Sequence, residues 1–296
     1  MDKVFGNMDV WAEKYSLTDY PGTFGLIHSR TNSGGDERWG HPFVGSSGKA
    51  AIVSQGCSGI FKNRSCGVFE AWGNEMLANG KVFKSSIYDL PQRYPVLADG
   101  GQVHSAEVKV QAVEYWYEKL GDPLAAIKKV ISDTNTESAS FFIFADLPGV
   151  IGFGNANQHV VYRQTADGVY LSISALGLPG GSGVELPCNS VGIITPDEIR
   201  IERLHDRYET DMQMPSGMLT RAMAYIHTNP GCTLAQVADH ALKEMFMPDT
   251  LNYRVGAAYR VLETLVMDEN VRMEPVTDIG AAGNRGTVFK LYAVEK

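Results

Sequence analysis

The stretch 25-GLIHSRTNSGGDERWGHPF-43 sets His28, Ser29 and Arg30 at the end of a short apolar run. A loop rich in Gly and polar residues follows, and then His41-Pro42-Phe43. After a second apolar run comes 54-SQG-56. Residues 24–27 and 50–53 are bounded by Gly and Ser, which predicts two short buried strands. An Arg then stands at one strand end and a Gln-Gly pair at the next, joined by an exposed loop. A guanidinium in such a place can grip a carboxylate with two parallel hydrogen bonds and so fix a ligand's orientation.

Working outward, residues 8–16 read as a short amphipathic helix, and 69–80 as a helix ended by Gly80. Val108, Ala112, Trp116 and Leu120 recur at helical spacing and predict a long helix over 105–120, with a second helix over 122–134. From Ala139 the period shortens. Residues 138–155, 159–174 and 190–204 are strand-rich and are joined at "LPG", "ADG" and "TPDE". Gly152-Phe153-Gly154-Asn155 lacks the rest of a dinucleotide-binding pattern and reads as a β-turn, and 178-LPGGSG-183 reads as a flexible loop. Strands, a helical pair and then antiparallel strands make an α+β fold.

The polar run 206–217 reads as a linker. Beyond it come three predicted helices, the second opening with Thr233 and Gln236 in capping-box spacing, and then two strand-like pieces. That order suggests a winged helix over 218–296. DNA contact would fall to Tyr253, Arg254, Arg260, Asn284 and Arg285. However, residues 206–296 hold nine Lys and Arg against twelve Asp and Glu, and an acidic module gains little from counterion release. A protein-contact role is expected there, and nucleic acid is not an expected partner.

The 296 residues are 44% hydrophobic and 20% charged, with a net charge of −8, the balance of an ordinary globular protein. No apolar run is long enough to span a bilayer, and the opening MDKVFGNMDV lacks the pattern of a secretory leader, so a cytoplasmic protein is expected. Cys57, Cys66, Cys188 and Cys232 are scattered, which suits reduced thiols rather than disulfides or a zinc site, and neither metal nor cofactor is expected.

The elements DVWAEKYSL, YPGTFGLIHSRTN, GHPF and AAIVSQGCSGIFKN stand in the order and spacing of the class II glutamine amidotransferase (glutaminase) domain. Residues 4–205 resemble that domain, the glutamate-synthase type in particular, and 148–174 resemble its later hairpin. The resemblance implies the layered αββα fold of N-terminal-nucleophile hydrolases over 1–205. It also implies glutamine or a related small amide as substrate. Arg30 matches the carboxylate-binding Arg. Gly56 matches the residue whose backbone N–H forms half of the oxyanion hole. Gln55 stands where the family has an Asn supplying the other half, and Ser33 falls among the substrate-binding positions.

Two departures accompany the match. The family's nucleophile is an N-terminal Cys, whereas this chain begins Met1-Asp2, and Asp2 is expected to keep the initiator Met in place. Ser105 occupies the position of the family's amino-holding Asp, with Glu107 at that of its Glu. Cys57 beside Gly56 has no base next to it in sequence and reads as a small buried hydrophobe. His28 and His104 read as structural. The expected function is therefore an amidotransferase-like subunit, an oligomer in which a separate small Cys-terminated chain supplies the nucleophile and a synthase subunit takes the ammonia. The alternative is an inactive glutaminase-like scaffold or small-carboxylate sensor acting through protein partners.

Overall fold

The computed structural model describes residues 8–16, 20, 22–29, 36–57, 62–89, 95–134, 137–156, 158–204, 216–245, 254–279 and 285–295. The fold is α+β, with antiparallel sheets throughout. Among the described residues no helix is long and apolar enough to cross a membrane. The chain divides into two compact units, Met1–Ala156 with Asn189–Arg207, and Asn157–Cys188 with Tyr208–Lys296. The expected first domain includes residues 157–188, which the structure groups with the second unit.

The first unit begins with α1 (Met8–Lys14). Its centre is a six-stranded sheet in the order β1 (Phe43–Val44), β2 (Ala50–Cys57), β3 (Glu137–Phe144), β4 (Leu147–Ala156), β8 (Ser190–Ile194) and β9 (Ile199–Arg203). Residues 24–27, expected as a strand, pair in no ladder among the described residues; the apolar run is there, but a strand also needs a neighbour to bond. Side chains alternate across the sheet. Ala50, Ile52, Phe142 and Phe144 share one face, and they form one core with α2 (Lys62–Ala78), α3 (Ser105–Leu120) and α4 (Pro123–Asp133).

Gly152-Asn155 is not a turn. It runs inside β4, on the register Gly152↔Phe142 and Gly154↔Ser140. A Cβ on Gly152 would lie 2.3 Å from Ile127 Cδ1, and one on Gly154 would lie 2.5 Å from Ile131 Cγ1. The two glycines are the seat of α4, which explains a pattern that local turn chemistry misread. Likewise "LPG" opens β4 rather than forming the turn, which falls at residues 145–146.

Local signals account for the helix ends. His104 Nδ1 accepts from Ala106 N, and Gly121 closes α3 in the left-handed region at φ 67°. Asp122 caps α4 by accepting from Leu124 N and Ala125 N, with Pro123 at its first position. Ala106 to Glu114 of α3 are all buried, whereas Leu120, expected on the apolar stripe, is exposed. The buried polar side chains of this helix hold loops. Glu107 accepts from Lys84 N and Ser85 N, both at 2.8 Å. Glu114 accepts from Ser47 N, Lys49 N and Ala50 N. Gln111 bonds Ser46 and Val82.

The second unit contains a small sheet in the order β6 (Gly168–Ser172), β5 (Val161–Thr165) and β7 (Val184–Glu185). It also contains α5 (Met218–Thr228), a helical segment that opens as α6 (Leu234–Gln236) and continues with π geometry over Val237–Leu242, and α7 (Arg254–Met267). A hairpin of β10 (Val271–Ile279) and β11 (Arg285–Ala293) follows. Both capping-box bonds of Thr233 and Gln236 are present. Met218, Ala222, Ile226, Val261, Leu265 and Leu291 belong to its core. The 178–183 loop carries a 3-10 turn over Pro179–Gly181.

Candidate functional site

In the first unit, β1 pairs with β2 only at Ala51 and Ile52. Among the described residues no strand covers that edge from Val53 onward. His41, itself buried, stands there instead: its Nδ1 accepts the Ser54 N–H at 3.2 Å. In an antiparallel ladder N–H groups two residues apart point the same way, so the Gly56 N–H is directed at the same open edge. Gly56 is exposed, sits opposite Ser138 of β3 and has φ 117°, a conformation that excludes ordinary side chains. Gln55 precedes it. Its Oε1 is buried and has no hydrogen-bond partner among the described residues, an exception that calls for a ligand or a neighbour.

Aromatic and imidazole rings build the wall around His41. It stacks on His28 at 4.1 Å and meets His104 edge-on at 5.1 Å and Phe43 at 4.8 Å. His104 in turn lies 4.8 Å from Phe43 and 5.9 Å from Trp39, whose indole N–H donates to Ser85 O. Because Nδ1 of both His41 and His104 accepts a backbone N–H, each neutral ring carries its proton on Nε2. Ser105, next to His104, is the first residue of α3, where the helix dipole favours negative charge.

His41, bonded to Ser54 N, is in ring contact with His104, which precedes Ser105 at the start of α3; Gln55 and Gly56 follow Ser54 in β2. Arg30, two residues past His28, and Ser33 lie outside the described residues, as does the side chain of Cys57. Sequence reasoning missed Lys109. Fully buried on α3, it donates to Ser138 Oγ at 2.9 Å and Ser140 Oγ at 3.4 Å, and Ser140 Oγ lies 2.9 Å from Ser54 Oγ. Burial pushes its amine down to about 7. The available signal was a lysine between Val108 and Val110, four residues after Ser105 and on its face of the helix.

In the second unit, Arg260, a candidate for DNA contact, is bound to Glu185 at 2.8 Å. Tyr253 and Asn284 and the side chains of Arg254 and Arg285 lie outside the described residues. Glu185 also meets His159 Nδ1 at 3.2 Å, while Glu263 meets His159 Nε2 at 2.8 Å. These groups line a cavity of about 230 Å³ with Thr264 and Met267. Burial opposes the charge on His159, but the hydrogen bonds to Glu185 and Glu263 overcome it and raise its pKa.

No family model and no curated protein matches the sequence. Among solved structures, the chain is similar to a glutamine phosphoribosylpyrophosphate (PRPP) amidotransferase from B. subtilis in complex with ADP and GMP. The identity is 10% and the TM-score 0.39, over 86% of this chain and 54% of that one. The chain spans about half the length of that structure.

Proposed function

We propose that the first unit holds glutamine or a related small amide at the end of β2 and hydrolyses its side-chain amide, supplying ammonia as class II amidotransferases do. The Gly56 N–H and the Gln55 side-chain amide form the oxyanion hole in this reading. Arg30 grips the substrate carboxylate, and Ser33 and Ser105 line the rest of its site. A separate small Cys-terminated chain carries the nucleophile, and a synthase subunit takes the ammonia. The proposal extends to the layered αββα arrangement over 1–205, a linker over 206–217, a winged-helix-like domain over 218–296, an oligomer and a cytoplasmic setting.

The observation that carries this reading is Gly56: exposed, at positive φ, and at a strand edge that no strand covers among the described residues. Calorimetric titration with L-glutamine tests it. Saturable binding that Arg30→Ala weakens at least tenfold is expected, together with ammonia release when the native partners are present. Absence of binding by the chain with its partners would refute it. Ser105, in place of a carboxylate for the amino group, favours a second reading, an inactive scaffold or small-carboxylate sensor acting through protein partners. Binding with no ammonia release from the native complex would select that one.

A further inference from the structure

The most unusual polar group in the first unit is an amine inside the core. Lys109 Nζ sits among the hydroxyls of Ser138 and Ser140, with the Phe69 ring centroid of α2 5.9 Å away. It makes no ion pair among the described residues. Carboxylates on the elements packed around it are engaged elsewhere: Glu107 and Glu114 of α3 hold backbone N–H groups, and Glu70 of α2 accepts from Val96 N. The titratable rings near β2, His41 and His104, accept backbone N–H groups. An ammonium so placed is costly, yet both serines it touches are ladder partners of the site strand. Ser138 stands opposite Gly56, and Ser140 stands opposite Ser54 and bonds its hydroxyl.

We propose that Lys109 is a positioning residue of the β2 site, fixing Ser54 and Gly56 through Ser140 and Ser138 and setting a proton-dependent positive charge beneath the Gly56 peptide. The inference rests on the reading of Gly56 as an oxyanion donor. A negative charge that forms at the Gly56 N–H is stabilised by the ammonium one strand away, in a low-dielectric interior where such an interaction is little screened. The amine's displacement toward neutral pH makes that support titratable. Binding an anion at Gly56 therefore draws a proton onto Lys109, and loss of the proton weakens the hole without altering its shape.

L-Glutamate is the probe, because its side-chain carboxylate puts a negative charge where the oxyanion would form. Titrating the full chain with its native partners, in two buffers of different ionisation enthalpy, reads affinity and proton uptake together. The expected result is uptake of up to one proton at pH 7.5 and binding about tenfold tighter at pH 6 than at pH 8, the ratio of protonated fractions for a group at about 7. Lys109→Met should abolish both the uptake and the pH dependence. Should that variant fail to fold, the Lys109 Nζ resonance of the unaltered protein decides, since its titration must move upward when glutamate is added. Binding without proton uptake, or an unmoved Lys109 titration, overturns the role of Lys109 and leaves the site reading intact. No binding of glutamate or glutamine at any pH overturns both.

Discussion

Lys109 in the first unit and His159 in the second are both buried bases, and their surroundings differ in kind. Lys109 meets hydroxyls and an aromatic ring, whereas His159 lies between two carboxylates, one of them also bound to Arg260. Desolvation acts against the charge in both. In the first nothing counters it, so the amine falls to about 7; in the second the paired acids win, and the imidazole rises. Burial alone therefore does not set the sign of a shift; the neighbours that burial brings along do. The His159 cluster reads as a clamp between the small sheet and α7, while Lys109 is an expense that a purely structural core would avoid.

Among the substitutions that remove a contact, taking a partner from the clamp should have the largest effect. Glu263→Leu strips His159 Nε2 of its 2.8 Å acceptor and leaves Ala175 N, bonded at 2.6 Å, without one. A loss of about 3 kcal/mol is expected, read from the shift of the denaturant midpoint at constant m. A loss under about 1 kcal/mol would break the contrast.

The pH dependences should run in opposite directions. Lys109 is depressed from 10.5 to about 7, so the unfolded chain binds more protons between those values. Its cost is fully present below pH 7 and is relieved as pH rises toward 10.5, by roughly 5 kcal/mol. Comparing the unaltered protein with Lys109→Met across that range isolates this slope. His159, being raised, contributes stability that is full below the ordinary histidine value and is lost as pH climbs through the folded one. The difference between the unaltered protein and His159→Gln should shrink in that direction.

Packing supplies a control without charge. Gly154→Ala pushes a methyl group into Ile131 beneath β4 and should cost about 1–3 kcal/mol at every pH. Smallest is Ser138→Ala, which leaves the Lys109 ammonium with only its 3.4 Å contact to Ser140. It should cost about 1 kcal/mol at pH 6 and less at pH 9, because an acceptor for a charged donor matters most while the charge is there.

What was legible in the sequence was local. The α3 helix is legible in the spacing of Val108, Ala112 and Trp116, and the start of α6 in Thr233 and Gln236, because caps and periodicity are written within a few residues. The glycines of β4 were misread because their reason lies in Ile127 and Ile131 of a distant helix. Residues 24–27 have the composition of a strand but no ladder partner among the described residues, which composition does not reveal. Gln55, Gly56 and Ser105 were singled out by resemblance. The ring contacts beside them depend on His41 reaching Ser54, thirteen residues away, and His104. Lys109 was invisible because a lysine on a helix is usually solvated, and only the fold reveals that its acceptors, 29 and 31 residues on, are serines in the core.

The central claim is that a small amide binds where β2 ends, against the Gly56 N–H and the Gln55 amide. Following the backbone and side-chain amide resonances of the chain with its native partners during titration with L-glutamine tests it most directly. Saturable shifts of the Gly56 N–H and the Gln55 side-chain NH2, sharing one midpoint, are predicted. Saturation that leaves both resonances unmoved, or no response to glutamine at any concentration, would contradict the account.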